Sequence, residues 1–86
     1  MNNICSTIVA IVQDNRVETA TKVQDVLTNY GCHIRVRLGL HDAHIDECTN
    51  SGIILLQMCA DQKVVSEFEH DIKSIPHVGI QHMTIQ

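Results

Sequence analysis

Aromatic side chains are nearly missing from these 86 residues, which hold one Tyr, one Phe and no Trp. Binding single-stranded nucleic acid by base stacking takes several exposed aromatic faces, whereas Tyr30 and Phe68 both fall at core positions of helical patterns. Basic charge is scarce as well. Six Lys and Arg stand against ten Asp and Glu, for a formal charge of −4, and no basic cluster exceeds the pair Arg35 and Arg37. The concentrated positive surface needed to neutralise phosphates is therefore absent, as is a glycine-rich phosphate loop. Apolar runs are strand-sized, well short of the roughly 20 residues that cross a bilayer as a helix, and the opening Met-Asn-Asn-Ile-Cys does not read as a secretion signal. We expect a cytoplasmic protein with neither nucleic acid nor membrane among its partners.

Without a secretion signal, the four cysteines are expected as free thiols in a reducing compartment. Cys5 and Cys59 lie in apolar runs and read as buried packing residues, while Cys48 lies in a polar loop and is chemically accessible.

What the chain does contain is periodicity. From Ile4 to Val12 nearly every residue is apolar or β-branched, which suits a central strand covered on both faces. Asp14 and Asn15 are cap residues, Glu18 completes a capping box, and Gly31 supplies a terminating residue, so a helix runs between them with Val17, Ala20, Val23, Leu27 and Tyr30 on one face. Ile34, Val36, Leu38 and Leu40 then alternate with His33, Arg35, Arg37, Gly39 and His41, predicting a second strand with one dry and one polar face. A polar, acidic stretch from His41 to Gly52 leads to the third strand, Ile53 to Cys59. Asp61 opens a second helix with Val64, Val65, Phe68, Ile72 and Ile75 at helical spacing, and Pro76 ends it. Val78 to Ile85 reads as a last strand whose alternation switches sides between Ile80 and Met83, as at a bulge or an oligomer contact.

The order β-α-β-β-α-β predicts an α+β, ferredoxin-like sandwich: a four-stranded antiparallel sheet with two helices on one face. Eighty-six residues leave room for one core, so residues 1–86 are read as a single domain. The helix-free face is expected to carry Arg35, Arg37 and His33 beside apolar residues of the first and third strands. A largely apolar exposed sheet is a liability in a monomer, and we expect the chain to assemble with itself as a homodimer or homotetramer.

The runs Ile8-Val9-Ala10-Ile11-Val12, Arg37-Leu38-Gly39-Leu40-His41, Cys48-Thr49-Asn50-Ser51-Gly52-Ile53-Ile54-Leu55-Leu56 and Ile75-Pro76-His77-Val78-Gly79-Ile80 resemble a family of short bacterial iron-only hydrogenase system regulators. That family is similar to ACT-type domains and to the effector domain of the nickel-responsive repressor. The resemblance implies an ACT-like βαββαβ fold, a cytoplasmic oligomer and no enzymatic activity.

Among the residues that carry chemistry, His41, His44 and Cys48 fall within eight positions and offer nitrogen and sulfur donors for a transition metal, with Asp42, Asp46 and Glu47 able to orient the histidines. The spacing matches no standard structural zinc pattern, and His33, His77 or His82 of a second subunit would have to complete the set. Solvated loop histidines beside a loop cysteine are the alternative, so the cofactor stays open. Arg35 and Arg37, roughly 7 Å apart if the strand is regular, can clamp a carboxylate or phosphate, or pair with acidic groups across an interface. Cys48 to Gly52 holds hydroxyls, an amide and a glycine that form either a small polar pocket or an ordinary turn. A nucleophilic Cys48–His41 pair has no evident oxyanion hole. The sequence thus points to a non-enzymatic regulatory or sensor module in which Arg37, His41, Cys48 and Gly52 bind a small effector between subunits. The competing reading is an interaction module that docks to a maturation or Fe–S protein without a ligand of its own.

Overall fold

The computed structural model describes residues 5–14, 17–40 and 51–85. In chain order these form β1 (Thr7–Asp14), α1 (Val17–Asn29), a single 3-10 turn (Gly31–His33), β2 (Ile34–Leu40), β3 (Ser51–Met58), α2 (Gln62–Lys73) and β4 (Val78–Thr84). The sheet order is β2-β3-β1-β4 and each neighbouring pair is antiparallel. This is the ferredoxin-like α+β arrangement that the element order predicts.

β1 is central because its β-branched run, Ile8, Val9, Ile11 and Val12, suits a strand paired on both edges. Its odd-numbered residues face the helices: Val9 lies beside Leu56, and Ile11 between Ile54 and Ile80. Onto this layer pack Val23 and Leu27 from α1 and Val65, Phe68 and Ile72 from α2, all buried. Each such side chain contributes about 1.5–3 kcal/mol by leaving water. Asp61 caps α2 by accepting the Val64 N–H at 3.0 Å, as the sequence suggests.

Polar ties hold the layers in register. The Tyr30 ring meets Phe68 edge-on, with centroids 5.1 Å apart, and its hydroxyl donates to Asp71 Oδ2 at 2.6 Å, joining the end of α1 to α2. Glu69 joins α2 to β4 by pairing with His82, and it also pairs with Lys73 at 3.1 Å. Burial alone would raise the Glu69 pKa, but hydrogen bonds and charge from Lys73 and His82 outweigh it and hold the carboxyl below its ordinary value.

Four sequence expectations change. The buried stripe of α1 is Thr19, Val23 and Leu27, which share one face at four-residue spacing, while Val17, the first residue of the helix, is exposed. β4 pairs with β1 without interruption from Val78 to Thr84, so no bulge accounts for its pattern; Met83 simply points away from the helices. The bulge lies in β2, where Ile34 pairs with Met58 and Val36 with Gln57, leaving Arg35 as the extra residue. It turns Ile34 to the helices and Val36 and Leu38 to the open face, and it puts Arg37 opposite buried Leu56, on the helix-bearing side. Arg35 and Arg37 are therefore not alternate residues of a regular strand. Lastly, Cys5 and Cys59 are joined by a disulfide rather than being free thiols.

Tyr30 is the single tyrosine of the chain, so its ionisation is directly visible. The hydrogen bond to Asp71, followed by burial and the charges of Asp71 and Glu67, raises its pKa to about 12. Its contribution to stability is complete below the ordinary value of 10.0 and is lost as pH rises from there through about 12. Tyrosinate absorbance is expected to titrate near 12 in native protein and near 10.0 in denaturant. Tyr30→Phe keeps the ring contact and is expected to cost about 1 kcal/mol in denaturant melts.

Candidate functional site

Three connections meet at one end of the sheet. β1 finishes there, with Gln13 paired to Gly52 of β3 on one side and to Val78 of β4 on the other. α1 starts at this end and α2 finishes there. Between them lies a cavity of about 170 Å³ lined by Glu18, Thr19, Lys22, Ile75, Pro76 and His77. Pro76 and His77 make the turn from α2 into β4, and His77 adopts a left-handed φ of 66°, a conformation that costs a residue with a Cβ of the order of 1 kcal/mol. Gln13 has its side-chain oxygen buried without a hydrogen-bond partner among the described residues, leaving an acceptor unsatisfied at this end of the sheet. An ammonium, a carboxylate, a hydroxyl and two apolar side chains around so small a space suit a small metabolite carrying charge of both signs.

Of the residues singled out from sequence, Gly52 stands at this sheet end. Arg37 is exposed on edge strand β2, opposite Leu56, which is four residues beyond Gly52 and hence about 13 Å along β3. The structure does not bring these two together. His41, His44 and Cys48 lie outside the described residues; the strand ends that flank them, Leu40 and Ser51, both reach the end of the sheet where Gly52 lies. Among the described residues no group of three or more His, Cys, Asp or Glu is placed to hold a metal. Sequence reasoning missed Gln13 and Lys22, since a terminal strand residue and a solvated helix lysine carry no motif, and it considered His77 only as a metal donor from a second subunit.

The helix-free face of the sheet presents a different surface. Successive rows across β2, β3, β1 and β4 read Val36, Gln57, Ile8, Met83; then Leu38, Leu55, Ala10, Gln81; then, from β3 onward, Ile53, Val12, Gly79. None of these positions is charged, and Asp14 stands just beyond the last row. Val12, Val36, Leu38, Ile53 and Met83 are 42–59% exposed. Of the residues expected here, Arg37 is on the other side because the bulge shifts the parity of the strand, Arg35 is the bulged residue without a partner in the register, and His33 lies in the 3-10 turn before β2.

No family model matches the chain, and no curated protein matches it. Solved structures do. An uncharacterized protein of Thermotoga maritima superposes with a TM-score of 0.83 at 21% identity, over 93% of this chain and 95% of that one. The ACT domain of the GTP pyrophosphokinase of Chlorobium tepidum gives 0.69 at 9% identity, over 90% and 95%. A 5-chloro-2-hydroxyhydroquinone dehydrochlorinase of Burkholderia phenoliruptrix, in complex with 2,5-dihydroxybenzoquinone, gives 0.58 at 11% identity, over 92% and 93%. The likeness is one of fold, which here spans both an enzyme and an ACT domain. No helix among the described residues is long and apolar enough to cross a membrane.

If the His77 backbone is held left-handed by the turn alone, glycine suits the position better. His77→Gly is expected to stabilise the protein by about 0.5–1 kcal/mol, and His77→Val to destabilise it by more than that, both read in denaturant melts.

Proposed function

We propose that the protein is a non-enzymatic, homo-oligomeric regulatory module whose copies join through the open sheet face and whose small effector binds at the sheet end beside Gln13 and Gly52. The observation that carries this reading is the uncharged face. A chain of net charge −4 repels a second copy wherever its carboxylates meet, yet these rows bring only apolar and neutral side chains together. A twofold contact built on this patch matches itself, because the same residues meet from both sides. Desolvating half-exposed Val, Leu, Ile and Met side chains supplies the driving force.

The effector reading rests on the cavity. Lys22 offers an ammonium to a carboxylate, Glu18 a carboxylate to an amine, and Ile75 and Pro76 an apolar wall, a combination that suits a free amino acid. His41, His44 and Cys48 keep their role as transition-metal donors within this proposal, as does a cytoplasmic setting linked to iron-only hydrogenase, supported by the resemblance of the Arg37–His41 and Cys48–Leu56 runs. The docking alternative draws on the same face, with a maturation or Fe–S protein in place of the second copy.

Analytical ultracentrifugation tests the assembly. The wild-type chain is expected to be a dimer or tetramer at micromolar concentration. Leu38→Asp, in the middle row, is expected to weaken association by about 100-fold or more, because unpaired carboxylates buried at a twofold contact cost several kcal/mol. Its circular dichroism should be unchanged, since Leu38 is 51% exposed in the single chain. A monomeric wild type would remove the reading and favour docking. Calorimetric titration with amino acids and with transition-metal ions tests sensing: heat lost in Lys22→Glu assigns the cavity, and silence with both ligand classes counts against an effector.

A further inference from the structure

Three of the chain's four cysteines gather at the opposite end of the sheet, far from the cavity. Cys5 precedes β1 and Cys59 follows β3, where Thr7 pairs with Met58, and the two sulfurs are bonded across a sequence separation of 54. Cys32 is an exposed free thiol in the 3-10 turn. Its neighbour His33 accepts the Cys59 N–H at 2.7 Å, so the backbone of Cys32 lies one residue from that of Cys59.

We propose that this end of the sheet is a thiol–disulfide exchange site at which Cys5 and Cys59 cycle between disulfide and dithiol with a low-molecular-weight thiol of the glutathione class. Both half-cystines are half-buried at the sheet margin rather than sealed in the core, so a small thiol reaches them. Their backbones are held without help from the sulfur bridge. Gln57 Nε2 donates to the Cys5 carbonyl at 2.9 Å, and the Ile85 N–H donates to the Ser6 carbonyl at 3.0 Å, while Cys59 is held through His33. Cleavage therefore leaves two thiols side by side on an intact sheet, ready to close again. In the reducing direction, an incoming thiolate bonds to Cys59 Sγ, and the Cys5–Cys59 bond breaks with its electron pair on Cys5 Sγ, which takes up a proton. A second thiolate then attacks the sulfur of the first, releasing the oxidised small molecule as its disulfide and Cys59 as a thiol. The balance is one protein disulfide and two small thiols giving one protein dithiol and one small disulfide. Nothing in this step depends on the association or the effector proposed above.

The test is thiol counting on the folded chain in a Cys48→Ser background, which leaves Cys5, Cys32 and Cys59. After equilibration with oxidised glutathione, Cys5 and Cys59 are expected to give no thiol, and Cys32 is expected as one thiol or as its glutathione mixed disulfide, the two told apart by mass. After equilibration with reduced glutathione, three thiols are expected, with unchanged circular dichroism and full return on reoxidation. Differential alkylation and peptide mapping should place the oxidised pair at Cys5 and Cys59, and Cys5→Ser should abolish the change in count. Three thiols at every glutathione ratio, a bridge that opens only on unfolding, or an oxidised pair that includes Cys32 would each overturn the proposal.

Discussion

The contact between one face of the sheet and the two helices is the constraint from which the other features follow. Val9, Ile11 and Met58 on the sheet, with Phe68 and Ile72 on α2, are completely removed from water. Two helices of twelve or thirteen residues can shield one side of a four-stranded layer and no more. The strands nonetheless need β-branched and apolar residues along their whole length to pair well. The second face of the layer therefore inherits Ile8, Val12, Ile53 and Leu55 without receiving a helix to cover them.

A single inserted residue decides how that uncovered face behaves. Side chains alternate with a period of two, so one extra residue reverses everything beyond it. In β2 the extra residue is Arg35, and past it Val36 and Leu38 face away from the helices while Arg37 shares the side of Leu56. Had the strand run regularly from Ile34, Arg37 would stand in the middle of the open face and a second copy would have to bury it. With the bulge, Arg37 moves to the helix-bearing side, and the paired rows are neutral from Val36 on β2 to Met83 on β4.

Among the described residues, the cavity and the cysteines lie at the two ends of the sheet, where backbone pairing stops. At one end, α1 and the turn after α2 bring Glu18, Lys22 and His77 around one cavity, with Gln13 paired to Val78 next to that turn; at the other end Cys5, Cys59 and Cys32 come together. β1 and β3 run the whole distance between and are paired along their full length. The Tyr30–Asp71 and Glu69–His82 contacts tie the end of α1 to α2 and α2 to β4.

Element order, element type and most of the core were legible in the amino-acid order, because hydrophobic periodicity is a local property set by geometry: period two for strands, near 3.6 for helices. The core positions of Tyr30 and Phe68 were legible for the same reason, and Asp61 was legible as the start of α2 from its residue type. The candidate site was legible only in part. Gly52 stands at the sheet end where β1 finishes, Arg37 does not join it, and Gln13 carries no local signature. Likewise, the bond between Cys5 and Cys59 could not be read, since residues separated by 54 positions meet only through strand pairing. The sequence by itself determined which segments become strands and helices and that one sheet face would lack cover. Register, the Arg35 bulge, the neutral composition of the open face and the meeting of distant cysteines were decided by tertiary structure, because register is a relation between strands and no single strand contains it.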